Sequence, residues 1–353
     1  MKKRIVSGLA VATVAALGLT ACSGSSTPAA SSSAGAAGAT SGSSTHPSVA
    51  NVINGALGDQ GFFDDAARGI AALKAAGSNT LNIQADANNP AQWKANLESA
   101  SDGKWDVVIT GTSQMVDILN ATAPKYPKQK YVIYDSVVTQ PNVASIVYKQ
   151  NEGSFLAGVL AAEATTNTSD FPLAAGTKKV GLVGGMDIPV INDFVDGFKS
   201  GVAAVDPSIQ VLVSYVGNFT DSNKGFDQAT AMYKQGADVV FQVAGGAGIG
   251  VLKAASESKK YAIGVDSNQN ALDPGYVLAS MEKNIGVSLE AAVNDYAAGK
   301  LAFGKTTYYG LANDGVKLDF ANNNNLVPQK IQDDIKAYAQ KVVDGQITVP
   351  TAL

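Results

Sequence analysis

From Val49 onward, short runs of β-branched and aromatic residues alternate with longer stretches whose apolar positions recur at helical spacing. Runs at 49–56, 80–85, 105–110, 131–134 and 143–148 predict strands, and further runs follow at 178–183, 209–216, 238–243, 261–265 and 276–280. Helices are predicted over 63–76, 90–100, 113–121 and 151–165, then over 188–204, 223–235, 248–259 and 285–299. Val107-Val108-Ile109 and Val239-Val240-Phe241 show no polar alternation, which marks strands covered on both faces. Parallel neighbours need crossover helices, so the alternation predicts an α/β fold of doubly wound parallel sheets. The cadence occurs twice, over 49–121 and 178–259, and the polar segment from Thr165 to Lys179 reads as a crossing between two lobes. Ligands of such sheets sit beyond the carboxyl ends of the strands. The residues just after each strand are therefore the candidates.

The N-terminus has a different character. Met-Lys-Lys-Arg precedes an apolar run from Ile5 to Leu19, followed by Thr20-Ala21-Cys22. A basic start, a short apolar stretch and small residues before the cut describe a signal peptide over 1–21. The run is shorter than the roughly 20 residues that span a bilayer. Leu19-Thr20-Ala21-Cys22 resembles a bacterial lipobox, which implies cleavage before Cys22 and a diacylglycerol on its sulfur. Residues 22–48 are almost entirely Ser, Gly, Ala and Thr and predict a flexible linker with a reach of about 25–30 Å. The mature protein is expected on the extracytoplasmic face of the cell membrane, anchored by lipid without spanning it.

Composition then removes whole classes of function. The chain of 353 residues carries 26 Lys and Arg against 30 Asp and Glu, and loss of Lys2, Lys3 and Arg4 with the signal peptide leaves 23 against 30. No basic surplus exists to neutralise a phosphate backbone, so no nucleic-acid partner is expected. One Cys and one His, His46 in the linker, exclude an internal disulfide, a Cys-rich metal site, a Ser-His-Asp triad and a HExxH zinc site. There is no phosphate-binding GxxxxGK[ST] loop. No metal and no cofactor are expected, and carboxylate-driven hydrolysis and Lys chemistry are the enzymatic routes that remain.

Beyond the first strand lies Gly58-Asp59-Gln60-Gly61-Phe62-Phe63-Asp64-Asp65. Its aromatics can form a stacking platform for a planar ligand, with the carboxylates accepting from the ligand edge. Equally, Asp64 or Asp65 can cap the following helix while Phe packs in the core. Ser113 and Gln114 open a helix after the third strand, Asp135 ends the fourth, and Phe219 lies in a loop of the second half. The Gly-rich turn around Gly245 departs from GxGxxG; it suits close backbone approach to a neutral ligand, or is an ordinary tight turn. Asp266 and Lys283 follow later strands, where a carboxylate can take a sugar diol and a Lys can hold it ionised, or the two can form a structural ion pair. Aromatics in both lobes, a diol acceptor and no phosphate clamp suggest an uncharged ligand of nucleoside size.

Several separated segments carry a resemblance: GDQGFFDDAARGI, NVASIVYKQNEGSFLAGVLAAEA, KVGLVGGMDIPVINDFVDGFKSGV, VVFQVAGGAGIGVLKAA and GVDSNQNALDPGYVLASMEKN. In these the chain resembles the basic membrane protein family of bacterial lipoproteins, which includes purine-nucleoside receptors. The resemblance implies a type I periplasmic-binding-protein fold acting as the monomeric capture subunit of an ABC importer, with permease subunits as partners. It implies lobes at 49–172 plus 281–305 and at 173–280 plus 306–353. It further implies stacking rings at Phe62 and Phe219, a base-reading acid at Asp135 and a ribose-binding pair at Asp266 and Lys283. Many relatives carry Asn where this chain has Phe63. Capture of another small polar ligand, such as a sugar-like signal, a nucleoside hydrolase built on Asp59, Asp64 and Asp65, and a surface adhesin or scaffold are the rival readings.

Overall fold

The computed structural model describes residues 46–353. The expected signal peptide over 1–21, Cys22 and the expected linker up to residue 45 lie outside the described residues. The folded body begins before the expected end of the linker. Pro47 is buried, and the Ser48 backbone N–H and hydroxyl both donate to Asp106 Oδ2, at 2.7 and 2.8 Å. Residues 46–48 thus belong to the fold and not to the tether.

The first sheet is laid down by β1 (Val49–Val52), β2 (Thr80–Ile83), β3 (Val107–Gly111), β4 (Lys130–Tyr134) and β5 (Val143–Tyr148). Helices α1 (Phe62–Ala75), α2 (Pro90–Ala100) and α3 (Val116–Thr122) supply crossovers between them. Helix α4 (Gln150–Thr166) leads to the second set: β6 (Lys179–Gly184), α5 (Pro189–Val205), β7 (Gln210–Tyr215), α6 (Ser222–Lys234), β8 (Val239–Val243), α7 (Gly248–Ser258), β9 (Tyr261–Asp266) and β10 (Val277–Lys283). The chain ends with α8 (Ile285–Ala297), β11 (Thr306–Tyr309), β12 (Val316–Asp319) and α9 (Gln329–Val343). The predicted strands and helices are all present; β5 and α2 keep their predicted bounds and the others have shifted ends.

Strand order is β2-β1-β3-β4-β5-β11 in one sheet and β7-β6-β8-β9-β10-β12 in the other. Pairing is parallel throughout except for β12, which runs antiparallel to β10. The two sheets are therefore near copies, and β4 in one corresponds to β9 in the other. Continuous apolar strands such as β3 and β8 are buried along their whole length, as expected for sheets covered on both faces.

The lobe boundaries differ from those expected. Helix α4 packs against β6, β8, β10 and β12, all in the second sheet, so the first crossing falls at Lys149 and not near 172. Residues 281–283 complete β10 of the second sheet, and α8 returns to pack on α1. Strand β11 pairs with β5, so 306–309 belongs to the first lobe. The crossings thus lie at Lys149, Asn284 and Gly310. Two of them are tied: Lys149 N–H donates to the Tyr309 carbonyl at 2.7 Å, and Leu311 N–H donates to Glu152 at 2.9 Å. Helix α4 is buried all round because α5 presses on it backbone to backbone. A Cβ at Gly201 would stand 1.9 Å from the Phe155 carbonyl oxygen.

Candidate functional site

The carboxyl ends of the two sheets face one another across a cleft of about 630 Å³. From the first lobe come Asn54 after β1, Phe62 and Phe63 opening α1, the Thr112–Gln114 turn after β3, and Asp135 after β4. The second lobe adds Phe219 after β7, Gly245 after β8, Asp266 at the end of β9 and Lys283 at the end of β10. An apolar wall from the start of α5, with Ile188, Ile191 and Phe194, completes it. Asp135 and Asp266 occupy equivalent positions in the two sheets and share a left-handed backbone, φ 61° and 65°. That turn swings each carboxylate off its strand and into the cleft.

Phe62 and Phe219 are both partly buried and enter from opposite lobes. Phe62 rests on Tyr134, ring centroids 5.4 Å apart, and meets Phe63 edge-on at 5.3 Å. Phe219 lies flat on the second lobe: a Cβ at Gly185 would sit 2.3 Å from its ring, so glycine is required there for the ring to reach this position. Phe63 packs on Gly55 in the same manner, 2.5 Å from a Cβ placed there.

The rims of the lobes touch. Ser267 Oγ donates to the Gly61 carbonyl at 3.0 Å and accepts from Arg68 Nη2 at 2.8 Å, while Gln269 Nε2 donates to the Gln60 carbonyl at 3.0 Å.

Electrostatically the cleft is acidic around one buried cation. Lys283, 2% exposed, reaches across to Asp135 of the first lobe at 2.5 Å. Its ammonium lies over the rings of Phe62, Tyr148 and Phe194, 5.1–5.4 Å from their centroids. Asp266 makes no side-chain hydrogen bond among the described residues, although it is only 7% exposed. Burial pushes its carboxyl up to about 7; Lys283 pulls it down, and Asp135, Asp59 and Asp65 push it further up. Burial likewise raises Asp135, with Lys283 pulling it back.

A family model described as ABC transporter substrate-binding protein, PnrA-like, matches residues 46–352. The chain belongs to that family. The nucleoside-binding protein BmpA of an ABC transporter in Lactococcus lactis subsp. cremoris is 35% identical over 75% of this chain and 76% of its own length. Basic membrane protein A of Borreliella afzelii is 28% identical over 86% of this chain and 91% of its own. Among solved structures, an ABC transporter solute-binding protein from Aeropyrum pernix K1 superposes with a TM-score of 0.76 at 26% identity, covering 86% of this chain and 94% of its own. The type I periplasmic-binding architecture is shared with this solute-binding protein.

Several expected site residues have other work within this PnrA-like fold. Asp64 does not line the cleft: its carboxylate accepts from the Gly58 and Gln60 amides at 2.8 and 2.9 Å, shaping the loop. Asp59 lines the cleft, but its oxygens are engaged by the amides of Gly61, Phe63 and Asp64, so it caps α1 from two residues upstream. Asp65 accepts from Arg68 and from the Gly286 amide. These bonds occupy the carboxylates on which a hydrolase reading relied. Lys283 pairs with Asp135 instead of Asp266, because its long side chain spans the narrow gap to the opposite lobe. Ser113, Gln114, Asp135, Phe219, Gly245 and Asp266 all line the cleft. Asn54 was not anticipated, although its place just beyond β1 was the available signal. Phe194 and the α5 wall read as core from their helical spacing, since nothing local separates a core stripe from a cleft wall.

Proposed function

We propose that this protein is the extracytoplasmic, lipid-anchored capture subunit of an ABC importer and that its cargo is a nucleoside, purine nucleosides included. The observation that carries this reading is the convergence of Phe62 and Phe219, from opposite lobes, on one cleft of about 630 Å³. A flat base between two rings gains about 1–3 kcal/mol from each. Asp266, which makes no side-chain hydrogen bond among the described residues, accepts from the two adjacent hydroxyls of a ribose in a charge-assisted pair of bonds. The name of the Lactococcus relative supports the ligand class. Binding energy spread over both lobes favours the state in which the rims touch, which is the state a permease can distinguish from an open one.

A panel of inosine, adenosine, guanosine, uridine, free ribose and hexoses, read by thermal shift and then calorimetry, tests this. Nucleosides should raise the melting temperature, and ribose and hexoses should not. Stabilisation by a hexose with no response to any nucleoside sinks the reading.

The raised Asp266 carboxyl gives a pH dependence with a definite sign. In the free protein the native state keeps a proton that the unfolded chain has released between the usual carboxylate range and about pH 7. Stability from this group is therefore lost as pH rises across that window. Binding runs the other way, because ribose hydroxyls donate to the ionised form. Affinity should weaken as pH falls below about 7, approaching roughly tenfold per unit. Asp266→Asn should flatten that profile, and an unchanged slope in the variant would remove Asp266 from the site.

A further inference from the structure

Thr112 adopts φ 76° and ψ 153°, a backbone conformation costly for a β-branched residue and one that calls for a reason. Its hydroxyl is thereby placed 3.3 Å from Asn54 Oδ1. Asn54, buried at the end of the β1 loop, passes the contact on: its Nδ2 donates to Gln114 Oε1 at 3.0 Å. Gln114 is exposed on the cleft wall, and its Nε2 makes no hydrogen bond among the described residues. The neighbouring wall is the apolar ring of Phe63, stacked on Gly55.

The relay has one property that a fixed donor lacks. A hydroxyl both donates and accepts, and an amide presents a donor on one side and an acceptor on the other. Turning both amides by half a revolution keeps every bond. Gln114 Nε2 then donates to Asn54 Oδ1, Asn54 Nδ2 donates to the Thr112 hydroxyl, and Gln114 Oε1 faces the cleft in place of Nε2. From this we infer that Thr112, Asn54 and Gln114 form a reversible reader of the ligand's ring edge, matching an oxo substituent in one setting and an amino substituent in the other. Asn54 and Thr112 act as positioning residues, and Gln114 is the group that meets the ligand. The inference rests on the nucleoside reading above and assigns to that site the basis of its tolerance.

Calorimetry with inosine and adenosine at pH 8 tests it. The wild type should bind both within about threefold, because either edge finds a partner at no loss of bonds. Asn54→Asp replaces the amide by a group that only accepts, so Gln114 must spend its N–H inward and show its oxygen to the ligand. Gln114→Glu, at an exposed position where folding is not at stake, imposes the same setting directly. Each variant should shift the ratio of affinities toward adenosine by about tenfold or more. Loss of affinity for both ligands in equal measure, or a wild type that already discriminates by more than about thirtyfold, overturns the reader while leaving nucleoside capture standing. A wild type that binds neither overturns both.

Discussion

Replacing Lys283 with methionine is expected to cost about 3–5 kcal/mol of stability at pH 8, because it removes the cation that pairs with the largely buried Asp135. The Lys283 side chain is 2% exposed and that of its partner Asp135 9%, so neither charge is well hydrated. Methionine keeps the stem that packs against Phe62, Tyr148 and Phe194, so the loss reports the charge and not a cavity. Adding Asp135→Asn to the variant should recover part of the loss, since the uncompensated carboxylate is then gone. Lowering the pH should do the same by protonation. Denaturant titration at pH 8 and pH 5 reads all of this. A loss below about 1 kcal/mol at pH 8 would place the pair among exposed salt bridges of little worth.

Phe219→Ala is the variant with the largest expected effect on ligand capture relative to its effect on folding. The ring is partly buried, lies on the backbone of Gly185, and forms part of the cleft wall. Its removal should weaken nucleoside binding about tenfold to a hundredfold, the range given by one base–aromatic contact. Phe62→Ala should weaken binding similarly but also destabilise the protein, because Phe62 packs on Tyr134 and Phe63 and covers the Lys283 ammonium. The contrast between the two variants separates the ring's role in stacking from its role in the core. A Phe219→Ala protein with wild-type affinity would place the ligand elsewhere in the cleft.

The sequence carries the repeated strand–helix cadence because parallel strands buried on both faces must be apolar along their length, as in β3 and β8. It carries much less of β11 and β12. Each has four residues, lies at a sheet edge and exposes part of its surface, so neither leaves an apolar run. The boundary at Lys149 was illegible for a related reason. Helix α4 is apolar all round, which announces burial on every side, but which sheet covers it depends on pairings far away in the chain. Within the site, the rule that ligands meet strand ends located Asp135, Phe219, Gly245 and Asp266. It could not assign partners. Lys283 and Asp135 meet because the lobes approach, and no spacing in the sequence encodes that distance. Asp64 and Asp65 were ambiguous between capping and binding; the cap is Asp59, and backbone amides took Asp64 entirely.

The late pairing of β11 and β12 shapes how this chain is made. Until residues 306–319 are in place, β5 and β10 each have one side open, since their edge partners are Thr306–Tyr309 and Val316–Asp319. A chain that has not yet placed these two strands presents two bare flanks of the kind that recruit neighbouring polypeptides, so the arrival of β11 and β12 ends an interval of exposure to aggregation.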